Sequence, residues 1–335
     1  MPDKPISIAH GGGGTRMREL LVQTIFPILG EEVLLDAEDA AVLAMPGEKL
    51  AFTTDSFVVK PLFFPGGDIG KLAVCGTVND LAMRGAVPLF ITLGLILEEG
   101  LPFGVLEDVV TSVSTWARNA GVKVVAGDTK VVERGMADGM YINTSGIGII
   151  EKGREVSIKG ASPNDVLIVN GYVGEHGIAV LGEREGFSFE AELKSDCAPL
   201  GGLVQSMLSV GRVHSLRDPT RGGLAAALNE MAYSSGCAFE VVEGDVLVRE
   251  EVRAVCEMLG MDPLYVANEG RLLAAVPEED AEKVLGAMRE DPLGKGAAVI
   301  GRAKEGRKGE VSLLTPLGTH RLIRMPSGEQ LPRIC

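Results

Sequence analysis

Cysteine is scarce in this 335-residue chain: there are five, at positions 75, 197, 237, 256 and 335, an odd number with no C-x-x-C pair. That argues against a disulfide framework and a thiolate zinc site, and it fits a reducing cytoplasm. Basic residues are outnumbered, 32 against 46 acids, for a formal net charge of -14. Recognition of a phosphate backbone needs clustered Lys and Arg, so no nucleic-acid partner is expected. No apolar run approaches the roughly 18 residues of a membrane span, and the opening "MPDKPISIAHGGGG" lacks the apolar core of a signal peptide. The expectation is a protein that stays in the cytoplasm and off the membrane.

What is abundant is glycine, 44 residues, within a chain that is 46% hydrophobic. That composition implies a folded core with many tight turns, and the length suits two domains. Residues 15–29 place Met17, Leu20, Leu21, Ile25 and Ile28 at helical spacing behind the run Gly11 to Gly14. "KLAFTTDSFVV" reads as a strand. "GGDIGKLAVCGTVNDLAMRGAVP" reads as a helix capped near Asp68 and stopped by Gly85 and Pro88. "GVLEDVVTSVSTWARNAG" sets Val105, Val109, Val113 and Trp116 on one face and ends at Gly121. "VKVVAGDTK" is a strand opening into a loop, and "MYINTSGIGII" another strand. The pattern breaks into polar turn residues over 151–163 and resumes with the strand "DVLIVNG". In "DPTRGGLAAALNEMAYSSG", Asp218 is expected as N-cap, Pro219 as first helical residue and Gly236 as terminator. This mixture is α/β or α+β. The tail "MPSGEQLPRIC" is interrupted by Pro326, Gly328 and Pro332 and predicts a mobile segment. Ten such residues reach on the order of 30 Å, so the terminal thiol of Cys335 either frays or visits a distant pocket.

Four aspartates stand at the ends of apolar elements: Asp39, Asp55, Asp80 and Asp128. Singly each is an ordinary cap or turn residue; converging, they make the oxygen-rich pocket that Mg²⁺ shares with a nucleotide's phosphates. "HGGGG" and "TRGGL" expose backbone N–H groups beside a helix start, a seat for phosphate. "GGDIGKL" is not a Walker loop, since Leu72 stands where a hydroxyl should bind the metal. Lys130 and Glu269 read as loop residues beside apolar strands, either solvated charges or, if partly buried, proton-transfer groups. His10, His176 and His214 read as loop histidines with structural hydrogen bonds, and His320 offers nothing distinctive.

These motifs, in this order, resemble the ATP-binding superfamily of aminoimidazole ribonucleotide synthetase, selenophosphate synthetase and thiamine-monophosphate kinase. With "HGGGGTRMRELL", "EDAAVL", "FTTDSFVVKP", "VVAGDTKVV", "GEHGIAVL", "LRDPTRGGLAAALNEMA", "NEGRLLAAV" and the terminal "PRIC", the resemblance narrows to the HypE family of hydrogenase maturation factors, the carbamoyl dehydratases. It implies a two-domain PurM-like fold. Its parts are an N-terminal loop and helix (1–35), an ATP-binding mixed-sheet domain that pairs as a homodimer (36–155), a C-terminal α/β domain (156–322) and a tail (323–335). It further implies Mg²⁺ on Asp39, Asp55, Asp80 and Asp128, ATP near Lys60, Asn79, Asn143, Arg221, Gly12 and Gly13, and catalysis by Cys335, Lys130 and Glu269. In that family a carbamoyltransferase, HypF, loads the terminal cysteine. Dehydration then gives a thiocyanate, and the cyano group passes to a HypC–HypD complex. The motifs short of the tail also fit a small-molecule kinase or synthetase, or a non-catalytic assembly factor that binds nucleotide.

Overall fold

The computed structural model describes residues 5–7, 20–30, 49–186 and 193–326. The expectations for His10, Gly12, Gly13, Asp39 and Cys335 lie outside these residues. A π-turn, Leu21–Ile25, leads into the short helix α1 (Phe26–Leu29), and Gly30 closes it at φ 72°, a left-handed position where glycine carries no Cβ penalty.

The first domain runs β1 (Lys49–Phe57), β2 (Phe63–Phe64), β3 (Gly67–Asp68), α2 (Ile69–Ala82), β4 (Val87–Glu98), α3 (Phe103–Asn119), β5 (Lys123–Val132) and β6 (Met140–Ile150). Four of these strands form a sheet in the order β1-β6-β4-β5. Only β4 and β5 run parallel. Alternate side chains point to opposite faces of a strand. Ala51, Phe57, Ile91, Leu93, Leu95, Leu97, Met140 and Ile142 are buried on one face, while Leu50 (60% exposed), Phe52 (70%) and Ile96 stand uncovered on the other.

α2 is apolar nearly all round, and Asp80 is its one residue that is not buried, the pattern of a helix enclosed by other elements. Asp68 caps it as expected, accepting from the Gly70 and Lys71 amides at 2.7 and 3.0 Å. α3 is the helix its periodicity predicts, and Gly121 follows it at φ 70°. Its fully enclosed stripe is Leu106, Val109, Val110 and Val113; Val105 and Trp116 are only partly covered at its margin. Each enclosed side chain contributes roughly 1.5–3 kcal/mol of hydrophobic stabilisation.

The second domain contains β7 (Val166–Val169), α4 (Glu175–Glu185), α5 (Gly201–Val210), β8 (Ser215–Arg217), α6 (Gly223–Ser235), β9 (Ala238–Val242), α7 (Glu250–Leu259), β10 (Leu273–Val276), α8 (Glu278–Glu290), β11 (Ala298–Lys304), β12 (Val311–Leu314) and β13 (His320–Leu322). Its seven-stranded sheet has the order β13-β12-β9-β11-β7-β10-β8. The centre is buried on both sides. Val166 and Ile168 join the cluster under α5 and α8, and Leu167 and Val169 the one under α6. A continuous apolar run such as "VLIV" is what a strand covered on both faces requires. Among the described residues no helix is long and apolar enough to cross a membrane.

Three local expectations are corrected. Lys130 lies within β5, not in a loop. "GDTK" looks loop-like because Asp128 and Lys130 alternate outward from a strand whose Thr129 turns inward. His176 lies in the first turn of α4, fully buried, with its Nδ1 2.8 Å from Ser195 Oγ. Asp218 is not the N-cap of α6. That helix begins at Gly223, because Gly222 and Gly223 both take positive φ (78° and 62°) and turn the chain five residues later than Asp218. His214 does have the structural bond expected of it, Nδ1 lying 2.9 Å from Asp165 Oδ2.

Candidate active site

A cleft of about 180 Å³ opens between the domains, lined by Asp55 and Ser56 of β1, Asp80 of α2, Arg217, Asp218, Thr220, Arg221 and Glu269. A larger cavity of about 450 Å³ shares Asp80 and Arg217 and runs along β1 from Leu50 to Thr53. Strand alternation puts Thr53 and Asp55 on the α2 side of the sheet. There Thr53 Oγ1 donates to Asp80 Oδ2 at 2.7 Å. Burial, then the adjacent Asp80 carboxylate, pushes the Asp55 carboxyl up to about 6.

Asp218 was missing from the residues read as chemical in the sequence; the signal available was an acid between two arginines just ahead of a Gly-Gly pair. It is buried in the cleft wall, and burial first, then Asp80, raises its pKa to about 7 against the pull of Arg217. A carboxyl held above its ordinary 3.8 carries an extra proton in the fold between 3.8 and about 7. Stability therefore falls as the pH rises through that window, and the full cost is present above it. Asp218→Asn removes that cost. Its Tm is expected to exceed the parent's by several degrees at about pH 8 and by less at about pH 5, which thermal melts at the two pH values will check.

Glu269, expected as a loop residue, is indeed in a loop before β10, but it is buried rather than solvated. Burial first, then Cys197, Asp218 and Asp196, raises its carboxyl well above the ordinary value. Its backbone is held tightly: Glu269 N donates to Asp196 Oδ1 at 3.1 Å, and Asp196 faces Arg271 Nε at 3.4 Å. Arg271 in turn pairs with Glu175, which also takes Arg249. Gly270 leaves no room for a side chain, since a Cβ there would stand 1.8 Å from the Asp196 carbonyl oxygen. Gly270→Ala must displace backbone. We expect it to cost more than about 4 kcal/mol and to leave little folded protein by circular dichroism.

The other expected site residues are not gathered here. Asp128 and Lys130 pair at 2.8 Å on the opposite, uncovered face of the first sheet. Asp128 therefore does not converge with Asp55 and Asp80 within one chain. Asn143, on that same face, donates to Asp55 O at 2.8 Å and Ser56 Oγ at 3.0 Å and so braces β1. Lys60 pairs with Asp138 at 3.0 Å, and its carbonyl receives Arg184. Arg221 is exposed at the cleft rim. Asn79 turns away from the cleft with its amide bonded to backbone.

Among the described residues, no three His, Cys, Asp or Glu side chains converge closely enough to hold a metal unaided. Two carboxylates side by side, one with its proton affinity raised by the other, nevertheless fit a hard divalent cation that keeps water or phosphate oxygens on its remaining positions.

Family models of "AIR synthase related protein, N-terminal domain" and "AIR synthase related protein, C-terminal domain" match residues 37–150 and 162–313. The two matched halves and the cleft between them place the chain among the AIR synthase-related proteins. Carbamoyl dehydratase HypE of Rhodobacter capsulatus is 48% identical over 337 residues, 99% of each chain. A crystal structure of the hydrogenase maturation protein HypE in complex with ATP has a TM-score of 0.95 at 48% identity, covering 98% of this chain and 99% of that one. A crystal structure of a HypE–HypF complex gives a TM-score of 0.81 at 45% identity, covering 93% and 100%. The chain belongs to the HypE family of carbamoyl dehydratases.

Proposed function

We propose that this chain serves [NiFe]-hydrogenase maturation by dehydrating a carbamoyl group carried on its own terminal sulfur, Cys335, at the expense of ATP. The observation that carries this reading is that residues 323–326 are held beside the cleft. Tyr265 Oη donates to the Arg324 carbonyl at 2.9 Å, and Asn229 Nδ2 to that of Ile323 at 3.2 Å. Pro326 then packs so close to Gly222 that a Cβ there would stand 2.9 Å from its ring. Arg221, the residue just before Gly222, lines the cleft. Cys335 lies nine positions beyond Pro326, a span of at most about 30 Å, enough to bring the sulfur into the cleft.

The chemistry needs an activated oxygen. In Cys–S–C(=O)NH₂ the oxygen would leave as hydroxide or oxide, which are poor leaving groups. Transfer of the terminal phosphoryl group of ATP to that oxygen makes phosphate the leaving group. Loss of two protons from nitrogen with departure of phosphate gives Cys–S–C≡N, ADP and phosphate. Glu269, buried in the wall of the cleft, is the proton acceptor we assign at the nitrogen, since burial raises its proton affinity above that of an exposed carboxylate. Arg217 and Arg221 bring positive charge to a cleft whose other charged lining groups are acids, as a nucleotide's phosphates require. Asp55 and Asp80, with Asp39 and Asp128 added by the resemblance, would hold Mg²⁺, which when bound neutralises phosphoryl charge.

Lys130 and Asp128 enter through a homodimer. The uncovered face that carries them also presents Leu50, Phe52 and Ile96, an apolar surface suited to a second copy of this chain. Pairing there would put Lys130, Asp128 and Asn143 at the junction, with Lys60, Gly12 and Gly13 as further nucleotide candidates. The upstream partner in this reading is HypF, which loads the tail; the downstream one is the HypC–HypD complex, in the cytoplasm. Intact mass spectrometry of carbamoylated protein before and after ATP tests the proposal. The expected result is loss of the mass of one water, located at Cys335 by fragmentation. Unchanged mass with ATP bound would leave a nucleotide-binding assembly factor instead.

A further inference from the structure

Asn79 is 2% exposed and sits immediately before Asp80 in α2. Its Nδ2 donates to the carbonyls of Ala198 and Glu269 at 3.1 and 3.2 Å, and its Oδ1 accepts from the Leu200 amide at 2.7 Å. Both amide hydrogens are thus spent on backbone of the other domain, which leaves none for a phosphate or a base. The partners lie 119, 190 and 121 residues away in sequence.

We propose that Asn79 is a positioning residue for the dehydration, not a nucleotide ligand: it fixes the Glu269 carboxyl relative to Asp80. This rests on the reading of Glu269 as proton acceptor. Asp80 and Asn79 are consecutive on one enclosed helix, so their side chains diverge by about 100° around its axis. One faces the cleft and the other fastens the segment that carries Glu269. From the far side Asp196 Oδ1 takes the Glu269 amide. The backbone of Glu269 is therefore held at its N–H by its own domain, and at its carbonyl by Asn79 of the domain that supplies Asp55 and Asp80, with a longer bond of 3.4 Å from the Ala198 amide of its own domain. Releasing the second grip frees Glu269 to shift against the reacting group, and displacements of about 1 Å at such sites cost up to about a hundredfold in rate.

The test is single-turnover dehydration of tail-carbamoylated protein across a range of ATP concentrations. Asn79→Asp keeps the size of the side chain and its acceptor for Leu200, but sets a carboxylate oxygen against two carbonyls. Asn79→Ala removes all three contacts. Both are expected to lower the maximal rate per folded molecule at least about tenfold, with the half-saturating ATP concentration within about twofold of the parent's. A rise of about tenfold in half-saturation at an unchanged maximal rate would make Asn79 a nucleotide ligand and overturn the inference. So would unchanged values for both, or a loss that vanishes once rates are normalised to folded protein. If Asn79→Ala does not fold, the near-isosteric Asn79→Asp decides alone. Glu269→Gln run in parallel separates the two claims. Full activity there removes the proton-acceptor reading itself, whereas an inactive Glu269→Gln beside a fully active Asn79→Asp removes this inference alone.

Discussion

Cys335→Ala should acquire no carbamoyl group and yield no thiocyanate, while its melting temperature and its affinity for ATP stay at the parent's values. The physical argument is that sulfur is the sole attachment point for the reacting group in the proposed cycle. The four cysteines among the described residues cannot replace it: Cys75, Cys197, Cys237 and Cys256 are all buried. Burial pushes the Cys256 thiol up to about 11 and the Cys197 thiol up as well, which keeps them protonated and unreactive. Intact mass after incubation with the carbamoyltransferase, carbamoyl phosphate and ATP reads the outcome directly. An adduct that persists in Cys335→Ala would move the chemistry to another residue and break the link between the tail and the cleft.

Glu269→Gln should bind ATP normally, accept a carbamoyl group on its tail and then stall. The substitution keeps the shape of the side chain and removes its capacity to take a proton. General base catalysis of this kind contributes about 10²–10⁴ in rate, so the single-turnover step is expected to slow by at least about a hundredfold. The tail should then accumulate in the carbamoylated form. The fold should gain stability, since the charged form of this enclosed carboxyl is disfavoured and an amide has no charged form. Loss of activity with gain in Tm is the signature of a functional carboxyl placed against the interest of stability, and a denaturation curve beside the rate separates it from simple misfolding.

The elements legible in the sequence were those whose signals are local. Asp68 announced the start of α2 and Gly85 its end, and the spacing of Val109 and Val113 announced α3. The fold class and the family followed from motif order along nearly the whole chain. What stayed hidden depended on pairs distant in sequence. Asp218 read as a cap because Asp-Pro before a glycine pair is ordinary cap chemistry; only the positive φ of Gly222 and Gly223 moves the helix onward and leaves the acid in the cleft. Four acidic motifs suggested one cluster, and strand alternation instead divides Asp128 from Asp55 by a sheet. Asn79 was a nucleotide candidate only through the family resemblance, and nothing near it in sequence reveals partners more than a hundred residues away.

Pro326 resting on Gly222 has a kinetic consequence. A sulfur tethered within about 30 Å of the cleft has an effective local concentration on the order of ten millimolar. In the proposed cycle, capture of the loaded tail would then be first order. The dehydration rate should be independent of protein concentration within a molecule, or within a dimer that shares the site, and free thiocarbamates in solution must compete against that tethered excess. In that proposed cycle the enzyme needs little intrinsic affinity for its own tail, and weak affinity in turn would let the same tail depart for the partners proposed on either side of the reaction.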